Sequence, residues 1–401
     1  MSLARRGAAA LGLLTALLSA CASDDVVAVR RCDGGLCISG GGDGGSDSAF
    51  CQGSGPRISG AQDSRICGGA LIASLLPAAL CTCSGISGGD LLTDSFDSAL
   101  GPYAPGQTGG ELRSLGPLTT QGSWDVGGAL RTSDATGVQI LSGSLRARGP
   151  AQILGALRGE TAVFERDADV GGGIGLVNLT VGGTLTTPDT GSIAVSGQRS
   201  TPSTRLGPVA VPPPCPCELD PYVSGPILAL TQANDDARLG LSKDQLEGFV
   251  GDAVLTLPCG GYFFQRIAGA GSLELRIEGR VELAIAGGLD VGGRLTIGLA
   301  PGAELDLYVH GDITVGGAVA IGDKAAPPRL RLFPGGVDTI RLAGGGYLSA
   351  AVLGRRRDLL TSAPLDVYGA MIAESVSVNA ALRLHYDPQV RALSGSCGPP
   401  P

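Results

Sequence analysis

The sequence predicts a mainly β chain, wound over most of its length into a parallel β-solenoid (β-helix) with short Cys-stapled and helical insertions. Three observations carry that prediction. Glycine supplies 67 of the 401 residues against 7 Phe and 7 Tyr. At about 1 kcal/mol per helix position relative to Ala this disfavours long helices, and without a Gly-X-Y period it excludes collagen. The chain is also 43% apolar and only 16% charged, a balance that buries a core rather than staying disordered. Finally, residues 282–298 set over 306–322 repeat without a gap, at an offset of 24. Leu283 falls on Leu307, Ile285 on Val309, Leu289 on Ile313, Val291 on Val315, Leu295 on Val319 and Ile297 on Ile321, and the glycines at 287, 292, 293 and 298 fall on those at 311, 316, 317 and 322. Three period-two strands cornered by Gly make one coil, and the next coil stacks about 4.8 Å away. A β-sandwich would need no such period.

From the N-terminus, residues 1–20 read as an export signal: Arg5 and Arg6, an apolar stretch over 8–18, then Ser19, Ala20 and Cys21. The stretch is too short for a permanent span, which needs roughly 20 residues. Leu18 to Cys21 has the form of a bacterial lipobox, so Cys21 is the expected lipidation site and the lipidated Cys the membrane partner, each buried methylene adding about 0.8 kcal/mol. Ala22 and Ser23 follow it rather than Asp, which by analogy with lipoprotein sorting favours the outer membrane.

The other ten cysteines, Cys32, Cys37, Cys51, Cys67, Cys81, Cys83, Cys215, Cys217, Cys259 and Cys397, form an even set that an oxidising compartment would pair. Cys81-Thr-Cys83 and Cys215-Pro-Cys217 raise a zinc or redox alternative, but no His stands near them and the spacing is wrong for it. Closing a ring within either pair would be strained, so each Cys should bond elsewhere, and Cys215 or Cys217 to Cys259 is the preferred link.

Residues 21–90 read as a Gly/Ser/Cys-rich tether, with a short helix or turn over 70–80. Residues 91–205 are short alternating pieces separated by Gly pairs, a solenoid-like half. Pro212 to Cys217 is rigid and extended. Within 206–392, a helical insertion at 220–250 is expected as two helices, 222–240 and 242–250, the second from the capping-box spacing of Ser242 and Gln245. Looser coils are expected at 330–332, 340–342 and 376–378, and 393–401 is a tail.

The second half resembles a known family. Cys215-Pro-Cys217, Asn234-Asp-Asp236, the run 257–262, the run 303–311, Val367-Tyr-Gly-Ala370 and Leu384-His-Tyr-Asp387 are similar to the uncharacterised domain DUF7305, over about 210–390. The resemblance implies an envelope protein of β-solenoid type, as in myxobacterial lipoproteins and some proteins associated with type IV pilus assembly, and brings no activity with it. Residues 354–358, Gly-Arg-Arg-Arg-Asp, depart from the apolar strand expected there, so that coil should be distorted.

Candidate chemistry is sparse. Two His in the chain exclude a His-rich metal site, and a net charge of −8 disfavours nucleic acid. Glu282 and Asp306 occupy equivalent outward positions one coil apart, where two acids could share a proton as in carbohydrate-active β-helices; a solvated pair beside Arg280 is the simpler reading. His385, Tyr386 and Asp387 cannot converge on one substrate, because neighbours on a strand face opposite ways. They read as a packing motif, and His310 reads as an exposed residue. Gly287 to Asp290 does not satisfy a calcium repeat, and 171–175 is a turn rather than a phosphate loop. The expectation is therefore a non-enzymatic, lipid-anchored envelope protein, without cofactor, whose solenoid is a structural or adhesive module contacting an envelope polymer or surface protein. A carbohydrate-active enzyme using Glu282 and Asp306, or an end-to-end filament, are the alternatives.

Overall fold

The computed structural model describes residues 29–32, 35–38, 48–52, 54–55, 68–218, 224–336 and 339–393. Each period-two segment of the repeat pairs in parallel with its equivalent one coil away. Arg280–Ile285 runs beside Glu304–Val309, Leu289–Val291 beside Ile313–Val315, and Leu295–Leu299 beside Val319–Ile321. Ile285 lies opposite Val309 and both are fully buried, so the offset of 24 is one coil. The corners explain the paired glycines. A Cβ on Gly293 would lie 2.7 Å from the Gly271 backbone, one on Gly317 2.6 Å from Gly293, and one on Gly344 2.2 Å from Gly317. Only a side chain of hydrogen lets these coils turn in contact.

Three parallel sheets line one apolar core, and the coils are not stacked in sequence order. Leu365–Tyr386, which ends the C-terminal half, pairs with Leu80–Ser95, which begins the N-terminal half: Ile372 faces Cys81, Val376 faces Ile86 and Leu384 faces Thr93. The sheet containing Gly260–Phe264, Arg280–Ile285, Glu304–Val309 and Leu330–Pro334 thus continues through 369–373 and 80–82 into Leu112–Ser114, Leu130–Thr132 and on to Ser203–Leu206. The two sequence halves form one solenoid of about 12 turns, some ~58 Å long at ~4.8 Å per turn. The first full coil in sequence starts at Leu80, in the middle of the stack and inside the stretch read as tether.

The chain path follows from this order. Winding outward from the seam, the N-terminal half ends at Leu206, and the chain must then travel back along the stack to start the C-terminal half at Glu247–Phe249. Six coil steps separate Ser203–Leu206 from 80–82 on the shared sheet, or ~29 Å at ~4.8 Å each. The nine residues from 207 to 215, in extended polyproline-like form at ~3.1 Å each, span ~28 Å. The prolines at 208, 212, 213 and 214 make this return strap taut.

Beyond the strap, the helix Ser224–Gln232 packs on Gly260–Phe264 and Arg280–Ile285. With Gly68–Leu75 and the 3-10 turn Pro388–Arg391 it covers the outer face of the shared sheet, making a second apolar cluster from Ile72, Leu75, Ile227, Leu230, Phe263, Tyr308, Phe333 and Ile372.

The insertion differs from expectation. The first helix stops at Gln232, where the Asn234 side chain donates to Leu230 O at 2.9 Å, and a 3-10 turn follows over Asp236–Leu239. The expected helix over 242–250 is one turn only. The Ser242 amide does donate to Gln245 Oε1 at 3.1 Å, but Gly248 takes φ 75° and Glu247–Phe249 joins the sheet beside Ile267–Gly269. Tertiary pairing overrides the cap. The distortion expected at 354–358 is present as a register shift between Gly354 and Asp358, with Arg357 buried and donating to His310 O at 2.6 Å.

Candidate functional site

The acids singled out from sequence do lie opposite each other, Glu282 beside Asp306 in adjacent strands. Asp306 does not face solvent, and Glu282 is half-buried. Arg331, one coil further on and opposite Asp306 in register, donates through Nε to Asp306 Oδ1 at 2.6 Å and through Nη1 to Glu304 Oε2 at 2.8 Å. The side chains of Arg331 and Asp306 are each 1% exposed. Burial pulls the Arg331 guanidinium toward losing its proton, and the charges of Asp306 and Glu304 outweigh it, holding it charged. The segment around residue 51 lies over this network: Arg280 donates to Phe50 O at 3.1 Å and Gly55 O at 2.5 Å, its guanidinium sits 4.6 Å from the Phe50 ring centre, and Gly55 N donates to Glu304 Oε2 at 2.9 Å. An acid in a short bond to a buried Arg is held in its ionised form, which makes it a poor proton donor.

The cysteines explain how that cover is held. Cys51 is bonded to Cys259, Cys81 to Cys215 and Cys83 to Cys217, with Cα separations of 5.7, 5.7 and 5.8 Å. This corrects the preferred link: Cys259 takes Cys51, and the two Cys-x-Cys pairs bond each other as parallel rungs, clamping the strap to the first coil of the seam. The strap's course back along the stack is what brings residues 215 and 217 to 81 and 83. No thiol of either Cys-x-Cys pair is left for zinc. Cys32 and Cys37 fall on the strands Val29–Cys32 and Gly35–Ile38, and Cys21, Cys67 and Cys397 lie outside the described residues.

A polar cluster the sequence did not reveal sits at the seam. His385 Nδ1 and Asp94 Oδ1 are 2.7 Å apart, and Tyr103 donates its hydroxyl to Asp94 Oδ2 at 2.7 Å. The rings of Tyr103 and Tyr368 lie 4.1 and 4.6 Å from the imidazole, and Phe96 packs edge-on against both tyrosines. Burial, then the hydrogen bond to Asp94, drives the Tyr103 hydroxyl well above its ordinary value; burial, then Asp366 and Asp94, raises Tyr368. Asp387 takes a separate role, accepting from Gln389 N at 3.1 Å and Ser98 N at 3.2 Å. His385, on the strand, and Asp387, which caps the 3-10 turn that follows it, each tie the C-terminal half to the 94–103 segment. His310 is exposed.

The far end is closed by the Asn234-Asp-Asp236 motif. Asp235 Oδ2 accepts from Gly261 N at 2.9 Å and Asp236 Oδ1 from Phe263 N at 3.1 Å, so two carboxylates satisfy alternate amides of the edge strand Gly260–Phe264. Burial, partly opposed by that Phe263 bond, pushes Asp236 up to about 6. On the neighbouring sheet Gly35–Ile38 pairs with Ala253–Leu257.

These features define a class: a parallel β-solenoid with one face covered by disulfide-clamped segments. Residues 215–393 match the family model described as a domain of unknown function, DUF7305, the family whose resemblance was read over 210–390. That domain comprises the strap's end, the helix and the C-terminal coils, and the coils from Leu80 to Leu206 lie outside the match. No curated protein and no solved structure matches the chain.

Proposed function

We propose that the chain is a non-enzymatic, lipid-anchored protein of the bacterial cell envelope, at the outer membrane, whose solenoid acts as a structural or adhesive surface-interaction module. One observation supports it above the others: the first N-terminal segments, within 35–52, dock at one end of the stack. Gly35–Ile38 pairs with Ala253–Leu257 in the first C-terminal coil, and Cys51 is bonded to Cys259 beside it. A lipid on Cys21 stands eight residues before Val29, at most ~28 Å of extended chain. An anchored molecule would rest on that end and carry Ile193–Val195, Arg199–Ser200 and Ser203–Leu206 some ~58 Å outward. The non-enzymatic reading draws support from the locking of Asp306 by Arg331 under the cover.

The test is to express the full chain in a Gram-negative host fed an alkyne-bearing fatty acid. The wild type should carry the label and sediment with membranes, and Cys21→Ser should lose both. An unlabelled, soluble wild type would remove the anchor, and turnover of cell-wall or capsular polysaccharide by the purified protein would remove the non-enzymatic reading.

A further inference from the structure

We propose that the corner between Tyr347 and Tyr368 is a binding site for an organic ammonium group, occupied in the resting protein by its own Lys324. The two rings belong to successive coils and to adjoining strand positions. Tyr347 lies on the outward side of 346–348, opposite Asp366 in the next coil, and Tyr368 follows Asp366 by two residues. The ring centres are 6.5 Å apart at 84°, so they form two walls of a box. The Lys324 ammonium is seated between them, 4.1 Å from the Tyr347 centre and 5.2 Å from that of Tyr368. A cation within about 6 Å of a ring face is held by the ring quadrupole, and two faces at right angles act together.

A carboxylate flanks the aromatic walls. The Asp366 carboxylate, about one-third exposed, lies on the Tyr347 column, and Arg383 Nη1 engages it at 3.2 Å from the far side. Tyr368 itself is 6% exposed and is stiffened from behind by His385 and Tyr103, at 4.6 and 5.6 Å between ring centres. The rear wall is thus rigid, and Lys324 is exposed. A lysine on a four-carbon stem at the surface can swing into water, and what it leaves is a preformed two-wall cage with a flanking carboxylate. The ligand chemistry is that of the group already seated there, an alkylammonium. It could be presented by a quaternary headgroup or by the side chain of a diamino acid in an envelope peptide. The proposal gives the surface-interaction reading a ligand class, yet it does not depend on the lipid anchor.

The test uses the full chain with 13C-labelled tyrosine, as wild type, Lys324→Ala and Lys324→Ala/Tyr347→Leu, titrated at constant ionic strength with tetramethylammonium or Nα-acetyl-lysine amide. Tethered Lys324 competes as an intramolecular ligand, so its removal should tighten apparent binding about threefold or more. The Lys324→Ala protein should show saturable shifts of two tyrosine ring signals, and the double variant should show none. The stronger of the two probes identifies the source of the ammonium. No saturable shift in Lys324→Ala, equal affinity in wild type and Lys324→Ala, or a shift that survives Tyr347→Leu overturns the site. Any of these would leave the fatty-acid labelling result of the Cys21 experiment untouched, so the two readings fail separately.

Discussion

Removing the two rungs of the strap one at a time and then together should give strongly non-additive losses. Cys81–Cys215 and Cys83–Cys217 each close a loop of sequence separation 134. On the chain-entropy relation either one alone restricts the unfolded chain by about 5 kcal/mol. Once one rung is in place, however, the other closes only a small ring of about five residues, for which the same relation yields about 2 kcal/mol. Cys83→Ser/Cys217→Ser should therefore cost about 2 kcal/mol, Cys81→Ser/Cys215→Ser a similar amount plus lost packing of these buried sulfurs, and the quadruple variant about 7 kcal/mol. Urea denaturation under non-reducing conditions, followed by far-UV circular dichroism, reads this out as losses in extrapolated unfolding free energy, with the slope rising as the unfolded chain is released. If a single pair costs as much as both, the bridges do not act as adjacent rungs on one strap, and the chain path described above is wrong.

Two further predictions concern buried charge. Asp306→Ala leaves Arg331, 1% exposed, with Glu304 and the Pro328 carbonyl but without its buried ionic partner, and should destabilise by about 3–5 kcal/mol, most of which Asp306→Ala/Arg331→Met should restore in the same denaturation assay. At the solenoid end, Asp236 is raised to about 6 when folded against about 3.9 when unfolded. The native state then binds the extra proton between those values, so this group makes stability rise as pH falls from above 6 toward 4, and its ionised form costs the fold about 1–3 kcal/mol at pH 8. Asp236→Asn keeps an acceptor for Phe263 N. It should be more stable than wild type by that amount at pH 8 and equal to it near pH 4; a difference that does not vary with pH contradicts the assignment.

How much could be read beforehand depended on where the information lies along the chain. The coil of 24 residues was legible at Leu283/Leu307 and Ile285/Val309 because both copies have the same strand and corner lengths, so inward residues and corner glycines recur together. The N-terminal coils are tighter: Leu157 pairs with Ile174 and Ala162 with Leu179, 17 residues apart. Their signal is blurred where Gly159 to Thr161 shifts register against the preceding coil. The seam left no local trace, because His385 and Asp94 are 291 residues apart, and nothing in Leu80–Ser95 announces that its partner is the last coil rather than the next. The same topology misled the disulfide assignment. Nearness in sequence favoured Cys259 for Cys215 or Cys217, whereas the strap carries those residues back to the first coil. Arg331 escaped notice as well. An Arg in an apolar strand, opposite Asp306 in a neighbouring coil, is recognisable only after the register is known.

Coil order also bears on whether the solenoid can grow into a filament, the alternative that end-to-end stacking would supply. Head-to-tail growth needs two complementary free edges. At the end that begins with Glu247–Phe249, the amides of Gly261 and Phe263 are taken by Asp235 and Asp236, and Ala253–Leu257 is already paired with Gly35–Ile38. The opposite end carries short strands of two to four residues, Arg199 and Arg205 on exposed positions, and Pro202 and Pro208 beside them. Short strands, charge and proline are the features that keep an edge from recruiting another strand. Among the described residues, one end thus carries capped amides and an added strand and the other is blunted, features that count against axial growth and leave the sides as the open faces. Lys324, Tyr347 and Tyr368 lie on such a side, three coils or fewer from the seam where the two halves are joined.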